Sequence, residues 1–173
     1  MEDKDVSRKI ILLNGASSSG KSTLASTLQM LIKDENGEKY ALISIDDFLK
    51  MAENEVIYED DVFEISSKIC DKSIEMLCYN QGIIIDHVIT SERIFKQLME
   101  ALKSYEIYLV HVTCPIHELK RREEERKNRF LGSAEASYEY LFPKEGYVLT
   151  VDTFESSAKE CALQIMDIMN KRF

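Results

Sequence analysis

Short runs of consecutive apolar residues alternate along this chain with longer segments in which apolar residues recur every three or four positions. The short runs predict strands buried on both faces, and the longer segments predict amphipathic helices. The five predicted strands are residues 10–13, 41–45, 83–85, 107–112 and 147–151. Buried strands that alternate with helices are typical of an α/β fold, with a parallel sheet covered by helices on both faces.

The helical segments have recognisable start and stop signals. Helical spacing covers residues of about 21–33, 62–76, 91–102, 115–130 and 158–169. We expect Gly82 to stop the second helix, Pro115 to open the fourth and Gly132 to end it. No linker rich in Pro, Gly or Ser divides the chain, so residues 1–173 are expected to form a single domain. Ligands of such sheets bind beyond the carboxyl ends of the strands.

Composition narrows the classes of function. The 173 residues include 31 acidic and 22 basic side chains, and the net charge of -9 argues against a nucleic-acid partner. The amino terminus has no signal-peptide pattern and no apolar run could span a bilayer, so we expect no membrane partner and a cytoplasmic location. The four cysteines lack metal-ligand spacing and are expected to pack as buried free thiols.

Residues 15–22 read GASSSGKS and match the pattern G-x-x-x-x-G-K-[ST] at every fixed position. They lie between a predicted strand and a predicted helix, as a phosphate-binding loop (P-loop) requires. Its backbone N–H groups would surround the phosphates of ATP, while Lys21 reaches the β- and γ-phosphates and Ser22 coordinates Mg²⁺. The predicted nucleotide-binding residues here are Gly15, Ala16, Ser17, Ser18, Ser19, Gly20, Lys21, Ser22 and Thr23.

Two aspartates follow neighbouring predicted strands. Phosphoryl transfer needs a metal ligand and a group that orients the attacking hydroxyl. Asp46 is our candidate for the catalytic base, and Asp86 is the candidate metal ligand beside Ser22. Asp47 competes with Asp46 for its role. A strand-end aspartate can also simply cap the next helix.

Three arginines share one face of the fourth predicted helix. Arg122, Arg126 and Arg129 stand at spacings of four and three within a segment that also contains glutamates. One interpretation is a solvated helix with i,i+4 ion pairs. The other is a lid, around residues 115–132, whose guanidinium groups close over a triphosphate. Spacing alone leaves both open.

Five stretches, in this order, carry a family resemblance: NGASSSGKSTLASTLQ, ISIDDFL, IIIDHVI, LVHVTCPIHELKRREEERKNR and VDTFESSAKECA. Together they resemble the chloramphenicol phosphotransferase family of P-loop small-molecule kinases, over residues of about 10–168. The resemblance implies a P-loop NTPase three-layer sandwich that is shikimate-kinase-like, with five strands in the order 2-3-1-4-5. It also implies that the γ-phosphate of ATP passes to a hydroxyl of a small molecule, chloramphenicol being the implied acceptor.

The resemblance further implies roles for particular residues. Asp46 matches the catalytic aspartate of the family, and Arg122, Arg126 and Arg129 match lid arginines that hold the phosphates. Arg126 and Arg129 would neutralise charge that develops during transfer. The chain departs from the family at His87, where the family has a second acid after the first, and in the segment 48–62, where the family's acceptor-binding segment is longer and differently composed.

Other functions are also compatible with an ATP-binding P-loop fold. The chain could be a P-loop kinase for another metabolite, a nucleoside or a sugar nucleotide, or a non-catalytic ATP-binding regulatory module. Acceptor-dependent release of ADP distinguishes a kinase from a binding module. A homo-oligomer is also compatible with the sequence.

Overall fold

The computed structural model describes residues 8–50, 58–126 and 131–171. The strands in these residues are β1 (Lys9–Asn14), β2 (Tyr40–Ser44), β3 (Gly82–His87), β4 (Glu106–Thr113) and β5 (Leu149–Asp152). The helices are α1 (Lys21–Asn36), α2 (Ile45–Leu49), α3 (Glu59–Leu77), α4 (Glu92–Leu102), α5 (Ile116–Glu125), α6 (Ser133–Tyr140) and α7 (Ala158–Lys171).

The five strands form one parallel sheet in the order β2-β3-β1-β4-β5. This confirms both the predicted parallel sheet and the strand order that the family resemblance implied. The central strand is β1, which pairs with β3 on one side and β4 on the other. The P-loop therefore leaves the sheet from its middle, with the ends of β3 and β4 on either side of it.

Alternating side chains of β1 divide the core into two apolar layers. Ile11 and Leu13 pack with α1 and α7, whereas Ile10 and Leu12 pack with α3 and α4. These four β1 side chains are fully buried, and each buried Leu or Ile contributes about 1.5–3 kcal/mol relative to an exposed one. A sheet between two helical layers is the predicted three-layer sandwich.

Gly82 does not stop a helix, which corrects the sequence prediction. Helix α3 ends at Leu77, and Gly82 is the first residue of β3. A Cβ atom at Gly82 would stand 2.2 Å from a ring carbon of Tyr40 on the neighbouring strand. The glycine is required by this close packing and not by the end of a helix.

The segment after Pro115 also differs from its prediction. Helix α5 ends at Glu125, short of residue 130, and Gly132 precedes an additional helix, α6, that the sequence did not predict. The carboxylate of Glu123 accepts hydrogen bonds from the N–H groups of Gly132 and Ala134, at 2.9 and 2.7 Å. Helix α6 is thus capped by a side chain of the preceding helix, an arrangement that local capping rules do not detect.

Smaller differences concern single residues. Strand β2 ends at Ser44, so Asp46 lies in the first turn of the short helix α2 and not at the end of a strand. Three cysteines are buried as expected, but Cys78 is exposed, and all four are free thiols. No helix in the described part of the chain is long and apolar enough to cross a membrane.

Candidate active site

The P-loop leaves β1 and enters α1 through two left-handed backbone positions. Ser18 has φ 66° and Gly20 has φ 86°, a conformation that glycine adopts without the strain of a Cβ atom. Gly15 is fixed by packing, because a Cβ there would stand 2.2 Å from the carbonyl oxygen of Val112 on β4. Both fixed glycines of the motif therefore have a steric reason in this fold.

Lys21 lies back over the loop that it follows. Its ammonium group donates hydrogen bonds to the carbonyl oxygen of Ala16 at 2.8 Å and to the hydroxyl of Ser19 at 3.3 Å. The hydroxyl of Ser18 is buried and has no hydrogen-bond partner among the described residues. A buried ammonium and an unpartnered hydroxyl on an inward-curving loop suit a bound anion such as a phosphate.

Ser22 and Asp86 form the candidate magnesium site. The Ser22 hydroxyl donates to Oδ2 of Asp86 at 2.6 Å, and Ser44 donates to the same oxygen at 3.3 Å. Asp86 is 3% exposed. Mg²⁺ takes oxygen ligands and usually binds through one or two side chains together with substrate phosphates. This pair of oxygens fits such an ion; the described residues contain no group of three or more His, Cys, Asp or Glu side chains that could hold a metal ion by themselves.

A cavity at the mouth of the P-loop brings the predicted site residues together. It is lined by Ser17, Ser18, Gly20, Lys21, Ser22, Ile45, Asp46, Asp86, Val88 and Arg126. Asp46 and Arg126 thus lie on one cavity although they are far apart in the sequence. The neighbouring Asp47 side chain is 72% exposed and pairs with Lys50 at 3.6 Å, so Asp46 is the member of the pair that lines the cavity. Arg129 lies outside the described residues.

Arg122 lies beside the P-loop, where a Cβ atom at Gly20 would stand 3.6 Å from one of its terminal nitrogens. Its Nε donates to Glu118 at 2.8 Å, and its two terminal nitrogens donate to the hydroxyl and carbonyl oxygens of Thr153 at 3.1 and 3.2 Å. The Thr153 hydroxyl in turn donates to the carbonyl oxygen of Ser19 at 2.7 Å. The chain from Glu118 through Arg122 and Thr153 to Ser19 supports the backbone of the P-loop, and we call it the loop support.

Sequence reasoning singled out neither Glu118 nor Thr153. The one signal for Thr153 was its place in the VDTFESSAKECA stretch of the family resemblance. Hydrogen bonds from Arg121 and Arg122 lower the pKa of Glu118 to about 2. The carboxylate is therefore ionised well below neutral pH and holds Arg122 in place.

His87 stands where the family has a second acid, and its ring contacts α3. Successive side chains of a strand point to opposite faces, so Asp86 faces Ser22 while His87 packs against Ser66 of α3, at 3.0 Å. The ring is fully buried, and this burial lowers the pKa of His87 to about 4. His87 is neutral at physiological pH and is part of the α3 side of the core.

Three solved structures whose fold is similar to that of this chain are those of small-molecule kinases. The APS kinase of Mycobacterium tuberculosis, solved with AMPPNP and APS, has a TM-score of 0.75 and 17% identity, with 95% of this chain and 99% of that chain covered. A gluconokinase of Sinorhizobium meliloti has a TM-score of 0.69 and 20% identity, with 95% and 93% covered. The shikimate kinase of Acinetobacter baumannii, solved with shikimate, has a TM-score of 0.61 and 19% identity, with 95% of each chain covered.

The family comparison covers nearly the whole chain. No curated protein matches it, but residues 8–170 match the family model described as chloramphenicol phosphotransferase-like protein. That match includes the P-loop, both aspartates and the loop support. The chain therefore belongs to the chloramphenicol phosphotransferase-like family and is, by that membership, a small-molecule kinase.

Proposed function

We propose that this kinase is an ATP- and Mg²⁺-dependent O-phosphotransferase that moves the γ-phosphate of ATP to a hydroxyl group of a small molecule. The observation that carries the proposal is the single cavity on which Lys21, Ser22, Asp46, Asp86 and Arg126 meet. It combines a cationic phosphate site, a pair of magnesium ligands and a carboxylate. Phosphoryl transfer needs these three components in one place.

Each component has a defined task. The N–H groups of the P-loop and Lys21 bind the β- and γ-phosphates, Thr23 extends this binding into the first turn of α1, and the loop support that includes Arg122 holds the loop in shape. Ser22 and Asp86 hold Mg²⁺, which withdraws negative charge from the phosphates when it is bound.

Asp46 accepts the proton of the acceptor hydroxyl. The acceptor oxygen forms a bond to the γ-phosphorus while the bond from that phosphorus to the β–γ bridging oxygen breaks. ADP leaves with the bridging oxygen, and Arg126 neutralises the charge that develops. We assign the same task to Arg129 by the family resemblance, and propose the segment around residues 115–132 as a lid that closes with these arginines.

Chloramphenicol is the acceptor that the family name suggests, and we propose it as the first compound to test. The alternatives are another metabolite, a nucleoside or a sugar nucleotide, or a module that binds ATP without transferring phosphate. The position of Asp46 on the phosphate cavity favours catalysis over binding alone, because a binding module has no need of a base there.

The test is incubation with Mg-ATP and chloramphenicol, followed by mass spectrometry for the phosphorylated product and by measurement of ADP release. Asp46→Asn should keep its affinity for ATP and lose turnover by about 10²- to 10⁴-fold, the usual contribution of a general base. Asp47→Asn is the matched control and should behave as the wild type, because Asp47 points to solvent. Equal turnover of Asp46→Asn and wild type would reject the assigned role.

A further inference from the structure

A second cavity, of about 310 Å³, adjoins the phosphate loop on the side of α6. It lies between the start of α3, the turn from β3 to α4, and α6. Its lining residues are Glu59, Thr90, Ser91, Ser133, Ala136, Ser137 and Tyr140. Cavities that bind small molecules begin at about this size, so this one can take a compound of a few rings.

This cavity and the phosphate cavity share a wall. The N–H group of Ser17, which lines the phosphate cavity, donates to the hydroxyl of Ser137, which lines the second cavity, at 2.8 Å. Val88 lines the first cavity and Thr90, two residues on, lines the second. A molecule in the second cavity therefore lies beside the loop that binds the transferred phosphate.

A buried amide fixes the two loops that bound the second cavity. The side chain of Asn14, at the end of β1, accepts a hydrogen bond from the N–H of Ile89 and donates to the carbonyl oxygen of Phe142, both at 2.9 Å. The N–H of Phe142 donates to the carbonyl oxygen of Ile89 at 2.9 Å. The turn that contains Thr90 and the end of α6 are thus held at a fixed separation, so the cavity is preorganised.

The lining offers hydroxyl groups and one carboxylate. Four of the lining residues are Ser or Thr, and the ring of Tyr140, which is 63% exposed, forms an apolar side. The hydroxyl oxygens of Ser91 and Ser137 already accept hydrogen bonds from the N–H groups of Ile94 and Ser17. A hydroxyl oxygen has a second lone pair, so these groups can still accept from a hydroxyl or amine group of a ligand. Glu59 is the one charged residue among the lining residues that the structure describes.

The neighbouring charges are engaged elsewhere. Asp60 pairs with Arg93 at 2.5 Å, and the Arg93 guanidinium also lies 3.9 Å from the centre of the Phe63 ring. Asp61 accepts the N–H of Tyr58 at 2.9 Å and so caps α3. Because Asp60 and Arg93 pair with each other and Asp61 caps α3, Glu59 is the residue that sets the charge of the cavity.

Resting on the proposed function, we propose that this cavity binds the phosphoryl acceptor and that Glu59 selects an uncharged or cationic polyhydroxylated small molecule over an anionic one. An acceptor carboxylate or phosphate would meet the Glu59 carboxylate in a cavity whose described lining has no cation to offset it. An amine on the acceptor would instead form a favourable ion pair with it.

The experiment uses the charge of the acceptor as its readout. A bacterial small-molecule extract is separated by ion exchange into anionic, neutral and cationic fractions, and each is incubated with the full chain and γ-labelled Mg-ATP. Chloramphenicol serves as a separate neutral probe, and the Lys21→Ala variant gives the background. We expect new labelled phosphate esters from the neutral or cationic fraction. Label mainly from the anionic fraction would overturn the charge selection and leave the proposed kinase activity intact. No label from any fraction, with ATP binding preserved, would overturn the proposed function and this inference with it.

Variants of α3 then test the residue. Glu59→Lys should raise the ratio of anionic to other labelled acceptors about tenfold, which corresponds to about 1.4 kcal/mol, and Glu59→Gln should raise it by less. Glu75→Lys makes the same charge change on the same helix, about 24 Å away along its axis, and should leave the ratio at the wild-type value. A thermal unfolding curve checks that each variant is folded. An unchanged ratio in a folded Glu59→Lys protein would contradict the assignment.

Discussion

The phosphate cavity and the second cavity differ in how they are built. The phosphate cavity centres on one continuous motif, and two of its charged groups are nearly inaccessible: Lys21 is 6% exposed and Asp86 is 3% exposed. The second cavity is assembled from α3, the β3–α4 turn and α6, and its Tyr140 is largely exposed. The phosphates of ATP are the same for every kinase, so a rigid and buried arrangement suits them. An acceptor differs from one enzyme to the next, and exposed positions on several segments can change to fit it without loss of the core.

The largest effect on the phosphate cavity alone is expected from a substitution of Thr153. This residue supports the phosphate loop although it lies outside the P-loop motif. Thr153→Val removes the hydroxyl that donates to Ser19 and accepts from Arg122. At about 1 kcal/mol for each of these two hydrogen bonds, the KM for ATP should rise about 30-fold, with a smaller change in the KM for the acceptor. Steady-state kinetics with each substrate varied in turn measures this.

Two further variants make that result specific. Thr153→Ser keeps the hydroxyl and should restore a near wild-type KM for ATP. Thr150→Val makes the same substitution at an exposed position of β5 and should have no effect. If Thr153→Val bound ATP as tightly as the wild type, the loop support would have no role in nucleotide binding.

A smaller effect, with a pH dependence, is expected at Glu118. The two arginines lower its pKa from 4.5 to about 2, so the folded protein holds this carboxylate ionised where the unfolded chain would protonate it. Its contribution to stability is complete above about pH 4.5 and is lost as the pH falls toward 2. Urea unfolding should therefore show Glu118→Gln less stable than wild type at neutral pH, with a difference that shrinks in acid.

The control for this prediction is Glu135→Gln, which removes an exposed ion pair with Lys120. Exposed pairs contribute little, so this variant should match the wild type throughout the pH range. A gap between Glu118→Gln and wild type that stayed constant from neutral pH to pH 2 would show that the ionised carboxylate is not the source of the stability.

The smallest effect is expected where the two cavities meet. Ser137→Ala leaves the Ser17 N–H without its partner from α6, at a cost of about 1 kcal/mol. Both KM values should rise, each by less than about fivefold, because this contact belongs to both cavities. Ser133→Ala, in the same helix, is the comparison variant and should change the acceptor KM alone. A Ser137→Ala protein with only one KM altered would show that the cavities are independent.

Local patterns in the sequence were enough for most of the fold. Continuous apolar runs identified all five strands to within a few residues. The inner strands β1 and β3 are almost fully buried on both faces, whereas the edge strands β2 and β5 have exposed positions at Leu42 and Thr150. The P-loop was equally recognisable from the sequence. One of its fixed glycines has a positive φ and the other packs closely against a neighbouring strand, and few other residues fit either position. The prediction for Gly82 was wrong for the same reason. A glycine indicates that a Cβ atom does not fit, but the sequence does not show whether a turn or a neighbouring side chain, here the Tyr40 ring, excludes it.

The arginine face shows where spacing was insufficient. Helical spacing placed Arg122 and Arg126 on one face of a predicted helix over residues 115–130. In the structure α5 ends at Glu125, so Arg126 follows the helix and lines the phosphate cavity, while Arg122 lies within α5 and binds Thr153. Arg122 is held by Glu118, which lies on the same helix, and by Thr153, which follows β5. Helix α6 was missed for a similar reason, because its cap comes from Glu123 of the helix before it.

The sequence by itself determined the strand and helix pattern, the phosphate loop and, through the five matching stretches, the kinase family and its strand order. These depend on interactions between residues close in the chain, or on motifs that keep their spacing. The tertiary structure alone decided that Asp46 and not Asp47 lines the phosphate cavity, that Arg122 supports the loop, and that a second cavity lies against α6. Each of these depends on which distant segments the folded sheet brings into contact, and side-chain contacts between such segments leave no periodic trace in the sequence.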